Sequence, residues 1–117
     1  MLNPAQIDRW QNGLEEDGMK AEFQKNGTTL SVKPEGRMDA ATSPELESLI
    51  RAQMEGMTEI IIDLENVEYL SSGGLRILLS LTQDMEEKDG RLKVIHGNRN
   101  IMEVFEISHF TDLLTIE

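Results

Sequence analysis

The sequence predicts an α/β domain whose mainly parallel sheet is opened by one antiparallel hairpin. Segments with strand patterns alternate along the chain with segments whose apolar residues recur at helical spacing. Near the start, Asn26-Gly27 joins two alternating segments, which is typical of a two-residue hairpin turn. Helices between the later strands require right-handed crossovers and therefore parallel pairing. The predicted order of elements is β-β-α-β-α-β-α-β.

The composition indicates one cytoplasmic domain. The chain has 117 residues and no long Pro/Gly-rich break, so a second domain is not expected. A net charge of −11 argues against nucleic acid and anionic membranes as partners. The absence of cysteine excludes disulfides, thiol nucleophiles and cysteine-ligated metals. We find no apolar stretch of membrane-spanning length and no signal-peptide core.

The first residues of the chain are set apart from the domain that follows. Ile7, Trp10 and Leu14 lie at spacings of three and four, which predicts a short amphipathic helix. We therefore divide the chain into an extension, residues 1–18, and a domain, residues 19–117. The helix would dock on the domain, pair with a second copy or remain a loose extension, and we prefer docking.

The hairpin and the first helix come next. Residues 20–25 and 28–33 alternate polar and apolar side chains on either side of the turn. The first helix is predicted to begin at Thr42-Ser43-Pro44-Glu45, which offers a hydroxyl cap, a proline at the first helical position and an acid in the first turn. Its apolar face consists of Leu46, Leu49, Ile50 and Met54.

The central strand and the turn after it carry the most information. The run Ile60-Ile61-Ile62 lacks alternation, which indicates a strand over residues 58–64 that is covered on both faces. A loop over residues 65–74 then leads into a helix over residues 73–88. The turn is Ser71-Ser72-Gly73-Gly74. One helix cap needs only one hydroxyl, so the second serine is free for another role.

The remaining elements complete the sheet. Residues 91–96 are predicted to form a strand. Asn98 or Asn100 would cap the last helix, which carries Ile101, Val104 and Phe105 on its apolar side, and residues 113–116 would form a closing strand.

The turn lacks the motifs of a catalyst. Neither a Gly-x-x-x-x-Gly-Lys-Ser/Thr loop nor a Gly-x-Gly-x-x-Gly turn occurs, which argues against nucleotide binding there. The nucleophile elbow fails because Leu70 stands two residues before Ser72. The chain has two imidazoles, and His96 at a strand end is better interpreted as structural than as catalytic. We expect no enzyme activity, no cofactor and no metal.

Three stretches of the chain resemble the STAS domain, in the branch of bacterial anti-sigma factor antagonists. These are Gly36 to Leu46, Ile62 to Arg76 with its Tyr-Leu-Ser-Ser-Gly-Gly-Leu-Arg segment, and Gly90 to Ile107. The resemblance covers about residues 20–117. The best-known members carry aspartate where this chain has Ser71, and often serine where it has Gly73.

The resemblance implies a regulatory protein. In this family the antagonist binds an anti-sigma factor that is a serine kinase, and so releases a sigma factor. The kinase supplies ATP and phosphorylates a serine of the loop, and a separate serine phosphatase reverses the modification. The matching acceptor in this chain is Ser72. A homodimer is a further expected assembly if the Trp10 segment pairs.

Residues 37–45 and 66–76 are the predicted docking face. Its predicted partner-binding residues are Arg37, Asp39, Thr42, Ser43, Asn66, Ser71, Ser72, Gly73, Gly74 and Arg76. Two alternatives remain open: a scaffolding module that works without phosphorylation, and a domain that binds a small ligand or nucleotide in a pocket near Ser72.

Overall fold

A computed structural model describes residues 20–117. The predicted helix with Ile7, Trp10 and Leu14 lies outside the described residues. The elements in chain order are β1 (Lys20–Asn26), β2 (Thr29–Met38), α1 (Ser43–Arg51), β3 (Glu59–Asp63), β4 (Asn66–Leu70), α2 (Ser72–Glu87), β5 (Arg91–Ile95), α3 (Arg99–Ile107), a 3-10 turn (Phe110–Asp112) and β6 (Thr115–Ile116). The predicted α/β class is confirmed.

The strands form one mixed sheet. Its order is β1-β2-β3-β5-β6, and β4 pairs with β2 beyond the end of β3. β1 and β2 are antiparallel, and the other pairs are parallel. Gly27 adopts a φ of 65° in the hairpin turn, a backbone conformation that glycine reaches without steric cost. The hairpin that opens the sheet is thus confirmed.

Strand β4 corrects the predicted order, which placed these residues in a loop. The ten-residue strand β2 pairs first with β3 and then, from Glu35 to Met38, with β4. A register shift at Gly36/Arg37 disturbs the alternation on the paired strand. As a result Val67 and Leu70 are buried at a spacing of three. A pattern search for period two therefore misses this strand.

The core lies on one face of the sheet. Alternate residues of the strands are buried there against the apolar sides of the helices. The fully or almost fully buried strand residues include Ala21, Phe23, Leu30, Val32, Met38, Ile60, Ile62, Leu92 and Val94, and the helices contribute Leu46, Ile50, Leu75, Leu78, Leu81, Met85, Ile101 and Phe105. This arrangement fixes each helix relative to the strand ends from which it starts.

The opposite face is not covered by any of residues 20–117. We define the open face as Glu22, Gln24, Ser31, Lys33, Ile61, Asp63, Lys93 and Ile95. All of these residues are exposed or only partly buried. The expectation that β3 is covered on both faces is therefore met on one face only within the described part of the chain.

The structure decides which asparagine caps α3 and corrects the predicted hydroxyl cap of α1. Asn98, and not Asn100, caps α3, because its side-chain oxygen accepts a 2.8 Å hydrogen bond from the N–H of Ile101. α1 begins where predicted, with its proline in the first turn, but Thr42 makes no side-chain cap. Within residues 20–117, none of the helices is sufficiently long and apolar to cross a membrane.

Candidate functional site

The candidate site lies where β2 and β4 end and their two following loops meet. The N–H of Ser71 donates a 2.9 Å hydrogen bond to the carbonyl oxygen of Met38. Since β2 and β4 are parallel, both chains leave the sheet at the same edge. The structure thus brings together the loop before α1 and the Ser-Ser-Gly-Gly turn before α2, as the sequence predicted.

Two glycines allow α2 to begin directly against the end of β2. A Cβ atom placed on Gly73 would lie 3.0 Å from the Cα atom of Ala40. One placed on Gly74 would lie 2.9 Å from the carbonyl oxygen of Met38 and 2.5 Å from the Leu70 side chain. These separations leave no room for a side chain. The first turn of α2 therefore packs directly against the backbone of Met38 and Ala40.

The two serines of the turn have different environments. Ser71 is the N-cap of α2, and its hydroxyl oxygen accepts a 3.2 Å hydrogen bond from the N–H of Gly73. Ser72 is the first residue of the helix and is exposed. The cap accounts for one hydroxyl, so the other is presented to solvent at the positive end of the helix dipole.

The loop before α1 is held by the side chain of Asp39. Its Oδ1 atom accepts hydrogen bonds of 3.0 Å from the N–H groups of both Ala41 and Thr42. The Thr42 hydroxyl donates a 2.6 Å bond to the Arg37 carbonyl oxygen and accepts one of 3.1 Å from the N–H of Asp39. This hydroxyl is occupied within the loop, which explains why it does not cap α1.

These contacts also set the charge state of Asp39. The hydrogen bond from the N–H of Thr42 lowers the pKa of the Asp39 carboxyl most, and the Ala41 N–H, the Thr42 hydroxyl and the Arg37 charge act in the same direction. Partial burial opposes them. The net effect is a pKa below the ordinary value of 3.8, which keeps the carboxylate charged at neutral pH.

The exposed rim of the site combines two cations and one aromatic ring. The Arg37 guanidinium lies over the ring of Tyr69, 4.4 Å from its centroid, because the two residues are neighbours in the β2–β4 pair. Tyr69 is 43% exposed although it is a large apolar side chain. Arg76 is exposed one helical turn after Ser72. Tyr69 lies within the predicted docking face, residues 66–76, but was not among the named contact residues, since its strand was not recognised.

Three predicted contact residues are placed differently. Ser43 and Gly74 are buried, which corrects the prediction that they contact a partner directly. They form the floor of the site. Asn66 is exposed, but it begins β4 and so lies at the other end of that strand from Ser71. Arg37, Asp39, Thr42, Ser71, Ser72, Gly73 and Arg76 lie at the loops around the turn.

His96 belongs to a separate cluster. Its Nδ1 atom lies 3.0 Å from Oδ1 of Asp63, and Lys33 lies 2.9 Å from the carboxylate of Glu65. In residues 20–117, ligand atoms of Asp63, Glu65 and His96 lie within 4.8 Å of one another, at the open face. Each is already paired within the protein, which favours a structural role for the histidine.

Comparison with known proteins identifies the family. A model of the STAS domain matches residues 20–117. The chain belongs to the STAS domain family. Among related proteins, the anti-sigma-B factor antagonist of Staphylococcus aureus is 31% identical over 86 residues, which cover 73% of this chain and 80% of that protein. The predicted resemblance is confirmed.

Solved structures confirm the STAS fold. The crystal structure of an anti-sigma factor antagonist from Mycobacterium paratuberculosis is similar with a TM-score of 0.72 and 23% identity, covering 86% of each chain. The Bacillus cell fate determinant SpoIIAA in its phosphorylated form is similar with a TM-score of 0.66 and 17% identity, covering 83% of this chain and 90% of that one.

The glycine packing in this STAS domain predicts the effect of Gly74→Ala. A new methyl group would meet the Met38 carbonyl oxygen, and backbone has to move to relieve the contact. We expect a loss of about 1–3 kcal/mol in the free energy of unfolding, measured by urea denaturation. Ser72→Ala is the matched control in the same turn and should cost much less. Equal stabilities of the two variants would contradict the packing argument.

The burial of Ser43 predicts a different outcome at the start of α1. Its hydroxyl oxygen is buried and has no hydrogen-bond partner among residues 20–117. Ser43→Ala removes an unsatisfied polar group, so we expect stability to stay unchanged or rise by about 1 kcal/mol. Thr42→Ala, which breaks the hydroxyl bonds of the loop, should lower it. Thermal unfolding of both variants checks this contrast.

The charged state of Asp39 predicts a pH dependence. Its folded pKa is lowered, so its stabilising contribution is complete above pH 3.8 and is lost as the pH falls through the lowered value. We expect Asp39→Ala to be less stable than wild type at pH 7 and the difference to shrink under strongly acidic conditions. Urea unfolding across pH measures it.

Glu45→Gln is the control for this pH series, because it removes one negative charge from the same region and leaves the Asp39 hydrogen bonds in place. A stability gap between wild type and Asp39→Ala that stays constant from neutral to acidic pH would show that the ionised carboxylate is not what holds the loop.

Proposed function

We propose that this STAS domain is an anti-sigma factor antagonist that is switched by phosphorylation of Ser72. Its docking face, residues 37–45 and 66–76, binds an anti-sigma factor that is itself a serine kinase, and binding releases a sigma factor. The observation that carries the proposal is the exposed hydroxyl of Ser72 on a turn whose capping requirement is met by Ser71.

The site offers an acceptor and not a catalyst. A serine hydroxyl needs a general base and a positioned phosphoryl donor before it reacts. Within residues 20–117, the Ser72 hydroxyl has no hydrogen-bond partner that would serve as a base. The imidazole of His96 is paired with Asp63 instead. The partner therefore has to supply the nucleotide and the catalytic groups.

The first turn of α2 can accept a phosphate without rearrangement. It contains no acidic residue, and the helix N-terminus favours an anion. Arg76 follows Ser72 at the i+4 position, where an opposite charge on a helix is stabilising. Phosphorylation adds a charge of about −1.5 to −2 to the centre of the docking face. The change acts at the interface while the domain stays folded.

The cost to binding follows from the position of that charge. A partner that covers Ser72 has to dehydrate the phosphate or meet it with its own cations, and an unmatched charge in an interface is expensive. A loss of about 1.4 kcal/mol already weakens binding tenfold. Phosphorylation of Ser72 alone would therefore suffice to separate the antagonist from the anti-sigma factor.

The comparisons support this proposal. The related Staphylococcus aureus protein is named an anti-sigma-B factor antagonist. The structurally similar SpoIIAA is described as an anti-sigma factor antagonist and has been solved in unphosphorylated and phosphorylated forms. The proposal places the protein in the cytoplasm, where sigma factors act, and includes a serine phosphatase that restores the unmodified state.

The geometry gives less support to a small-ligand site. The cleft between the loop before α1 and the turn before α2, beside Gly73 and Arg76, has a volume of about 180 Å³. Clefts that bind small molecules or nucleotides are usually about 300–1,000 Å³. A surface for a protein partner fits the shallow, exposed rim better.

Phosphorylation is tested with the cognate kinase and ATP. Mass spectrometry should find one phosphate on Ser72 in the wild type, none in Ser72→Ala, and one on Ser72 in Ser71→Ala. Ser71→Ala is the matched control, since it keeps the acceptor and loses only the cap, at a cost of about 1 kcal/mol in stability. Modification of Ser71, or an unmodified Ser72, would refute the assignment.

Binding is tested separately with Ser72→Asp. We expect its affinity for the anti-sigma factor to fall at least tenfold in calorimetric titration, while its melting temperature stays close to that of wild type. Unchanged binding together with unchanged folding would mean that the docking face does not include Ser72, and the scaffolding alternative would then be preferred.

A further inference from the structure

The open face of the sheet has two isoleucines at its centre, among polar and charged side chains. Ile61 and Ile95 lie on the two neighbouring central strands β3 and β5 and are only partly buried. A sheet face that is meant for solvent usually alternates to polar side chains at such positions. The unbroken run Ile60-Ile61-Ile62 has the pattern of a strand covered on both sides.

Three charged side chains of the open face, Lys33, Asp63 and Lys93, each have a partner within the domain. Three pairs surround the two isoleucines: Lys33 with Glu65 at 2.9 Å, Lys93 with Glu117 at 3.6 Å and His96 with Asp63 at 3.0 Å. The two isoleucines lie between these pairs, and Glu22, Gln24 and Ser31 add polar surface on the side of β1 and β2. Such a surface suits a partner that contributes a narrow apolar stripe bordered by polar residues.

We propose that residues 1–18 of the same chain dock on the open face of the sheet. Their apolar stripe is Ile7, Trp10 and Leu14. The docked stripe covers Ile61 and Ile95, and the polar residues of the segment face the solvent.

The length of the segment fits the width of the sheet. β1 is an edge strand, and the chain enters it at Lys20. Residues 7–14 as a helix would be about 12 Å long. The distance from β1 across β2 and β3 to β5 is about 14 Å. The residues between the helix and Lys20 reach up to about 17 Å when extended. The stripe can therefore lie over the central strands.

Covalent attachment favours this occupant over a second copy of the chain. A tethered segment meets its site at a high effective concentration, whereas a second molecule has to be recruited from solution. Two copies would also bring together two chains that each carry a net charge of −11. The docking is therefore expected within one chain.

Trp10 is the only tryptophan of the chain and reports directly on this contact. In the full-length protein we expect a blue-shifted emission maximum and low quenching by acrylamide. The double variant Ile61→Thr/Ile95→Thr, which keeps β-branched side chains but removes apolar area, should shift the emission to the red and increase quenching. Ile7→Ser, which leaves the sheet untouched, should do the same.

Ile107→Thr is the matched control, because Ile107 is 79% exposed on α3 and lies outside the open face. It should leave Trp10 emission unchanged, and circular dichroism should show that every variant is folded. A solvent-exposed Trp10 in the wild type, or a shielded Trp10 that the sheet variants do not release, would overturn the proposal. Shielding that rises with protein concentration, with dimers in sedimentation, would assign the face to a second copy instead.

Discussion

The close approach of two backbones at Met38–Ala40 and Ser71–Gly74 is the constraint on which the site depends. A hydrogen bond from Ser71 to Met38 joins them, and the hydrogen-only side chains of Gly73 and Gly74 allow the helix to begin there. Because interiors are close-packed, an added methyl group would have to displace a strand end or a helix. The same contact sets where α2 starts, which way its dipole points and which loop lies beside Ser72.

The division of roles between two adjacent serines follows from that contact. Ser71 is turned toward the backbone it caps, and Ser72, the next residue, is left on the outer side of the first turn. Under the proposed function, a phosphate on Ser72 would therefore be attached to a closely packed helix start whose dipole favours an anion. Its effect would then fall mainly on the partner interface, because the domain itself would need little rearrangement.

The sequence predicts elements well where one physical signal dominates. The hairpin at Asn26-Gly27 and a serine cap at the start of α2 depend on local turn chemistry, and both are found in the structure. Strand β4 was missed because its pairing includes a register shift, which spaces its buried residues by three instead of two. Turns and helix caps can be predicted from neighbouring residues in the sequence. The irregular pairing of β4 depends on β2, which is distant in the sequence.

The site residues also differ in how far their positions depend on residues distant in the sequence. Tyr69 was included in the predicted docking face but not singled out as a contact residue, because its strand was not recognised, and its position across from Arg37 makes it part of the exposed rim. Ser43 was misplaced because a serine at a helix start is usually exposed, and here the packing of α1 buries it. Whether a polar residue is on the surface depends on which neighbour covers it, and that information lies in residues distant in the sequence.

The topology also relates the open face to the docking face. Lys20, where the extension joins the domain, pairs with Glu35, and Glu35 in turn pairs with the first residue of β4. Lys20 therefore lies on the side of the sheet where β4 begins, at the other end of that strand from Ser71. In the proposed arrangement the docked stripe would lie on the other side of β2 from the helices, so it would leave Ser72 accessible to the proposed kinase.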